Sequence, residues 1–208
     1  MTGISSFKNI QPNNLVGELI SYIQVNLPKF SDSEEFQNIT SKKKNENQYS
    51  EAYCTFMHFC DNHKFYFARE KSQKGNRSVD IGVYLKGGVL LFLIEAKILP
   101  TPISGDRREH EYVYGGGGGI ERFKNENHGL DNQDQLLALN GIIAYIEEND
   151  YNHWQTTIDQ WILDASWPSS EQLTKQSFSE TGYLKSVHKR KGGSMLTLFH
   201  FWVRMNQD

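Results

Sequence analysis

Cysteine is scarce in this chain. Only Cys54 and Cys60 occur, too few for a disulfide framework and better suited to a reducing compartment. No apolar run approaches the ~20 residues that span a bilayer. The stretch MTGISSFKNI lacks the cationic and apolar segments of a signal peptide, so a cytoplasmic protein without a membrane partner is expected. Excess charge is also missing: 22 Lys and Arg stand against 25 Asp and Glu, a formal net charge of -3. No global field draws such a protein onto nucleic acid, and any such binding rests on local patches. There is no G-x-S-x-G, no H-E-x-x-H and no G-x-G-x-x-G opening a βαβ unit, which removes the common hydrolase, zinc-protease and dinucleotide motifs.

What is present describes a folded α/β chain. Hydrophobic residues make up 38% of 208 residues and aromatic residues 12%, enough for one domain with a real core. No linker divides residues 1 to 208. Leu15, Leu19, Ile20 and Ile23 predict a first helix over 13–27 that Pro28 closes. The polar stretch 29–49, with Lys42, Lys43 and Lys44, predicts an exposed connection. Ser50 is a candidate cap for a second helix to about residue 61, with Ala52, Phe56, Phe59 and Cys60 on its apolar face. Strands are expected at about 64–70, 78–86 and 89–97. Leu136, Leu137, Ile143 and Ile146 predict a helix over 131–147, and another is expected over 151–163. A last hairpin is expected over about 178–204, ending in the strand MLTLFHFWVRM.

The stretch SVDIGVYLKGGVLLFLIEAK carries the chemistry. Its second half is the apolar run of a strand buried on both faces, yet it runs into Glu95, Ala96 and Lys97. Gly87-Gly88 forms a favoured two-residue hairpin loop, and that loop pairs Lys86 with Val89, Ile81 with Ile94 and Asp80 with Glu95. Two carboxylates then stand opposite on one face, roughly 5 Å apart. Lys97, two residues beyond Glu95, shares that face with Leu91 and Leu93. Opposed like charges need a cation. Lys97 alone is one answer, and a divalent ion between the carboxylates is the other, with Lys97 orienting or deprotonating a bound water. A register slip of one residue would separate the two carboxylates.

Asp80, then Glu95-Ala96-Lys97 on the next strand, resembles the signature of the PD-(D/E)XK nuclease superfamily, with Val79 in the place of the nominal proline. The likeness covers roughly residues 50–145 and leaves about 150–208 as embellishment. It implies a restriction-endonuclease-like core, a mixed central sheet flanked by helices, with an additional C-terminal hairpin. It also implies Mg²⁺ or Mn²⁺ held by Asp80, Glu95 and the Ala96 carbonyl, with Glu51 on the preceding helix as a further ligand, and Lys97 positioning the attacking water. The implied activity is that of a DNA endonuclease of a bacterial restriction or anti-phage defence system. A homodimer or a defence-system partner is a possible assembly, and the alternative is a non-catalytic subunit that binds nucleic acid or a partner through the same fold.

Other residues are weaker candidates. Arg69, Arg77, Arg122, Lys124, Lys189 and Arg190 lie at expected strand edges, loops and a hairpin tip, as do Arg107 and Arg108, and together they are candidate phosphate contacts. Gly115 to Gly119 lack the Lys-Ser/Thr of a nucleotide loop and read either as a flexible connection or as a phosphate-binding helix start before IERFK. Gln133 and Gln135 open the expected following helix, where some members of the superfamily carry a polar catalytic residue. Cys54, Cys60 and His63 lack a fourth zinc ligand at convincing spacing, and His188 and His200 are expected to be structural.

Overall fold

One seven-stranded mixed sheet with helices on both faces organises the computed structural model, which describes residues 12–39, 45–60, 64–73, 75, 77–102, 108–176 and 182–205. Lys42 to Lys44, His63 and Arg107 lie outside the described residues. Helix α1 (Pro12–Asn26) starts on a proline, whose missing N–H costs nothing in a first turn, and buries Val16, Leu19, Ile20 and Ile23 along one stripe. A 3-10 turn, Leu27–Asp32, then sinks Phe30 into the core, and the short helix α2 (Glu34–Gln37) is capped by Ser33. The expected exposed connection is therefore partly structured.

Helix α3 (Glu46–Phe59) is capped by Asn45, five residues before the Ser50 cap expected from sequence. Asn45 accepts from Gln48 N–H while the Gln48 side chain accepts from Asn45 N–H, a complete capping box. Tyr49, Ala52, Tyr53 and Met57 form its buried face; Phe59 is 78% exposed and Cys60 is only half-buried at the C-cap.

Strands β1 (Phe65–Gln73), β2 (Arg77–Leu85) and β3 (Leu90–Leu99) form an antiparallel meander. The hairpin register is the expected one, Ile81 opposite Ile94, although the turn differs. Leu85 N–H donates to Val89 O at 2.9 Å, with Gly87 and Gly88 at positive φ, so the loop has three residues rather than two. A bulge between Val83 and Tyr84 in the pairing leaves Leu91 as an extra residue on β3. The bulge cancels the longer loop. It also turns Leu91 onto the face opposite Leu93, as their separate core clusters show.

After α4 (Gly119–Lys124), residues 139–146 form the central strand β4 (Leu139–Ile146), not the second half of a helix. Apart from Leu139 every residue of β4 is buried, and a strand covered on both faces shows no period-2 pattern, so its apolar spacing mimics a helix. Parallel neighbours enclose it: β3 on one side and β7 (Met195–Arg204) on the other. Helix α5 (Tyr151–Asp164), the two-residue β5 (Thr174–Lys175) and β6 (Gly182–Lys189) complete the order β1-β2-β3-β4-β7-β6-β5. The C-terminal hairpin is thus no appendage, since β7 lies directly against β4. Helices α1 to α3 cover one face over Phe67, Ile81, Phe92 and Phe201; α4 and α5 cover the other over Leu93, Ile142, Leu198 and Trp202.

Gly141 shows how tightly the centre is packed: a Cβ there would lie 2.7 Å from the Phe92 ring and 3.2 Å from Phe201. Gly141→Ala is expected to destabilise the fold by about 1–3 kcal/mol through overpacking. Gly17, in α1 with nothing within 4 Å of such a Cβ, responds with the opposite sign, and Gly17→Ala adds about 0.5–1 kcal/mol. Urea unfolding midpoints at equal m-value check both.

Candidate functional site

Asp80 lies one residue before the last β2–β3 pair, Ile81 with Ile94. There its side chain replaces the backbone partner, and Oδ2 accepts from Ala96 N–H at 2.7 Å. Glu95 and Lys97 are not at the end of their strand, because Ile98 and Leu99 continue it. Both are buried inside the sheet face, Glu95 at 1% exposure and Lys97 at 3%.

An ionised carboxylate is tolerated in such a place only when paired and hydrogen-bonded. Glu95 Oε1 accepts from Lys97 Nζ at 3.0 Å and from Arg122 Nη1 at 2.7 Å. Its Oε2 faces His128 Nδ1 across 3.2 Å without the alignment of a hydrogen bond. Burial acts to raise the Glu95 pKa, but Lys97, His128 and Arg122 outweigh it and hold the carboxyl down at about 2. Lys97 is held above its ordinary value, since Glu95, Glu46 and Asp80 overcome the burial that acts against its charge. Asp80 moves the other way: burial first, and then repulsion from Glu95, push it up to about 7. The two carboxylates therefore differ sharply in protonation near neutral pH.

The acidic side chain that α3 brings to the cluster is Glu46, whose Oε1 lies 3.9 Å from Lys97 Nζ. Glu51 is exposed one and a half turns later and lines a different pocket with Glu34, Glu35 and Gln48. The earlier start of α3 explains this correction, since it moves the first-turn acidic residue from 51 to 46.

Helix α4 reaches β3 because Gly119 has no side chain. A Cβ there would meet Tyr112 O at 3.0 Å and Lys97 Cε at 3.3 Å. Gly118 is tighter still against the Tyr114 backbone at 2.5 Å. Neither reading of the glycine run holds at these two positions, which are close approaches. The N–H groups of Gly115, Gly118 and Glu121 are already bonded to Glu121 Oε2, Gly115 O and Val113 O. Gln133 and Gln135 belong to an exposed turn, their N–H groups both donating to Asp131 Oδ1, so the expected helix does not carry them to the site.

The basic candidates divide. Arg122 is in the cluster. Arg77 and Lys189 are exposed. Arg69 donates to the Asn47 carbonyl and, at 3.2 Å, to Asn47 Oδ1, which ties β1 to the start of α3. Lys124 pairs with Glu171 and covers the Trp167 ring. Arg190 is a correction: it is 3% exposed, and its guanidinium donates to the Leu137 carbonyl at 2.6 Å and to the Phe123 and Met195 carbonyls. Four of its five N–H donors are thus spent on three backbone carbonyls and the Ser194 hydroxyl, and at 3% exposure it does not present a fork to a phosphate. A polar cavity of ≈ 500 Å³ adjoins the cluster, lined by Arg77, Gly116, Asn125, Asn127, Arg122 and His128 among others.

A second buried network, absent from the sequence reading, occupies the far side of the same face. Trp202 Nε1 donates to Tyr112 Oη at 2.9 Å, and Tyr112 Oη meets His200 Nδ1 at 2.7 Å. Ser186 Oγ lies 2.7 Å from both His200 Nε2 and His188 Nε2, and His188 Nδ1 lies 2.8 Å from Glu171 Oε2. An indole can only donate and a carboxylate can only accept, so with neutral imidazoles the Glu171 end sets the direction of the chain. Tyr112 donates to His200, His200 to Ser186, Ser186 to His188 and His188 to Glu171, with both imidazoles neutral. Burial keeps them so, lowering His188 and pushing His200 down to about 3. The alternation of His188 with Ser186 on β6 was the signal in sequence, since i and i+2 share a face.

Among the described residues no group of three or more His, Cys, Asp or Glu side chains is gathered as a ready-made metal cage. The zinc alternative is weaker still, because burial pushes the Cys54 thiol up to about 12, and a ligand must be a thiolate. No family model, curated protein or solved structure matches the chain.

The opposite shifts of the two carboxylates give opposite pH signatures. Between about pH 4 and 7 folded Asp80 keeps a proton that the unfolded chain has released, so its contribution to stability falls as pH rises through that window. Asp80→Asn, which still accepts from Ala96, is expected to match wild type near pH 4 and exceed it by a few kcal/mol at pH 8. Folded Glu95 contributes stability above about pH 4.5 that is lost as pH falls toward 2. Glu95→Gln, which leaves Lys97 facing Arg122, costs about 3–5 kcal/mol at neutral pH. Urea unfolding across pH 2–8 reads both. Ser186→Ala removes one acceptor and one donor from the buried chain and is expected to cost about 2–4 kcal/mol in the same assay.

Proposed function

We propose that this chain is a metal-dependent phosphodiester hydrolase with a restriction-endonuclease-like core, acting as a DNA endonuclease in a bacterial restriction or anti-phage system. The observation that carries the reading is the convergence of Asp80, Glu95 and Lys97 on one hairpin face, with Lys97 between Glu95 and Glu46. The donor set fits Mg²⁺ or Mn²⁺, which prefer one or two carboxylates, retained waters and phosphate oxygens over a full protein cage. Asp80, Glu95 and the Ala96 carbonyl would hold the ion, while Glu46 faces Lys97. Glu95 Oε2, buried and 3.2 Å from a poorly aligned His128 Nδ1, keeps lone-pair capacity for it.

When bound, such an ion supplies a water of lowered pKa and positive charge at the phosphoryl oxygens. The protein supplies the rest. Lys97, held protonated by three carboxylates, acts as a fixed hydrogen-bond donor that orients water and stabilises charge on the phosphoryl group, rather than as the base that removes a proton. Asp80, near half-protonation at neutral pH, would have to release that proton to hold a cation.

One observation favours the binding-subunit alternative: Glu95 is already neutralised by Lys97 and Arg122, so the cluster is electrostatically complete without an ion. Incubation with plasmid and oligonucleotide DNA, with and without Mg²⁺ or Mn²⁺, separates the two readings. Metal-dependent cleavage is expected to fall at least about a hundredfold in Lys97→Ala and Asp80→Ala and to survive in Glu51→Ala. Binding of DNA without cleavage under every metal condition would sink the enzyme reading in favour of the subunit.

A further inference from the structure

Three groups surround Glu95, but they are not equally held. Lys97 is 3% exposed and His128 2%, whereas the Arg122 side chain is 35% exposed. Lys97 is also pinned between Glu95 and Glu46, with Gly119 packed over its Cε. Arg122 makes the shortest contact to Glu95, 2.7 Å, yet stands at the mouth of the cluster and forms a wall of the ≈ 500 Å³ polar cavity with Arg77, Asn125 and Asn127. A dication placed on a carboxylate that already holds both Lys97 and Arg122 would crowd three positive centres within hydrogen-bond range in a poorly solvated pocket. At such distances like charges repel by several kcal/mol at an effective dielectric near 20. One cation must leave, and Arg122 is the one with a path to solvent.

We propose that Arg122 is an internal stand-in for the metal: it neutralises Glu95 in the metal-free protein, is displaced when the ion binds, and then turns into the adjoining polar cavity to hold a DNA backbone phosphate. This rests on the metal-site reading above and adds a switch to it. The cavity suits the second position. Asn125 and Asn127 offer amide donors, Arg77 a second guanidinium, and a planar guanidinium fork matches phosphate oxygens. Because the same side chain is released by one ligand and used by the other, metal and DNA bind cooperatively, and the coupling is reciprocal.

Binding measurements test this without any turnover. Mn²⁺ affinity is read by calorimetry for wild type, Arg122→Gln and Arg122→Lys. Affinity for a fluorescent 12-base-pair duplex is read by anisotropy, in EDTA and in Ca²⁺. Arg122→Gln is expected to bind Mn²⁺ about tenfold more tightly than wild type, because the competitor is gone. Arg122→Lys keeps a competing charge and stays near wild type. For the duplex, Arg122→Gln weakens binding several-fold in Ca²⁺ and leaves it unchanged in EDTA, where Arg122 is tied to Glu95. Equal or weaker Mn²⁺ binding by a folded Arg122→Gln overturns the proposal, as does a loss of duplex affinity that is the same with and without Ca²⁺. Failure of every protein to bind either ion would instead remove the metal-site reading, and the switch with it.

Discussion

The buried charge of Glu95 is the constraint around which one face of this protein is arranged. A lone carboxylate at 1% exposure in the middle of an apolar strand would be neutralised by protonation rather than remain charged. It remains charged because its own strand supplies Lys97, α4 supplies Arg122 and the segment after α4 supplies His128. Each of these has a structural precondition. Gly119 must lack a side chain for α4 to close on β3. The crossover from β3 to its parallel neighbour β4 must carry α4 back across the sheet. Such a cluster contributes little net stability over well-packed apolar residues of the same volume.

The second network completes the mechanics of α4. Arg122 and Lys124 leave the helix on different sides, since successive residues turn by about 100°, and each ends on a different buried carboxylate. Arg122 goes to Glu95; Lys124 goes to Glu171. Glu171 is in turn fixed through His188, Ser186, His200 and Tyr112 to Trp202. The six-residue helix is therefore bolted at one side to the candidate site and at the other to the C-terminal strands. Because every proton in that relay is assigned, it has one low-energy arrangement, and a fully satisfied polar chain of this kind adds rigidity where an unsatisfied one would cost stability. The C-terminal hairpin, read from sequence as an addition, is a foundation of the site. It supplies three relay side chains from β6 and β7 besides His188, and Arg190, which staples the Phe123 and Leu137 carbonyls.

What could be read from the sequence was local and periodic. The hairpin between β2 and β3 was legible because glycines mark the turn and Asp80, Glu95 and Lys97 are charges where apolar residues are due. Helix α1 was legible from its stripe, and α5 from its span. The start of α3 was missed because Ser50 looked like a cap while the stronger box, Asn45 with Gln48, lay upstream in a polar stretch. That later start is also why Glu51, rather than Glu46, was expected to stand in the first turn of α3. Strand β4 was misread because burial on both faces erases the alternation that identifies strands. Arg190 and Lys124 looked like free surface charge because nothing local reveals that a guanidinium or an amine will be covered by segments 47 to 67 residues away. Partners that distant are set by topology, which a single sequence leaves open.

The geometry at Asp80 and Glu95 also depends on two irregularities that offset each other. A three-residue loop closed by Leu85 and Val89 shifts the pairing by one position relative to a two-residue turn. Since side chains alternate with period 2, that shift alone would place Asp80 and Glu95 on opposite faces. The extra residue Leu91 shifts it back, and Ile81 again meets Ile94. The adjustment costs the sheet one side-chain position: Leu91 joins Phe92 on the α1–α3 face instead of pointing toward the site. Bulges occur where a strand must re-aim a side chain, and here the side chains re-aimed are the charged ones three and five residues beyond Phe92. Ile81 with Ile94 is the last β2–β3 pair in the register, and beyond it the Asp80 carboxylate takes the Ala96 N–H. Antiparallel pairing sends the N–H and C=O of one residue to the same side of its strand, so the Ala96 carbonyl faces the gap that Asp80 opens. The fold and the candidate chemistry meet in that substitution, because the group that ends the β2–β3 ladder is also the carboxylate that stands beside Glu95.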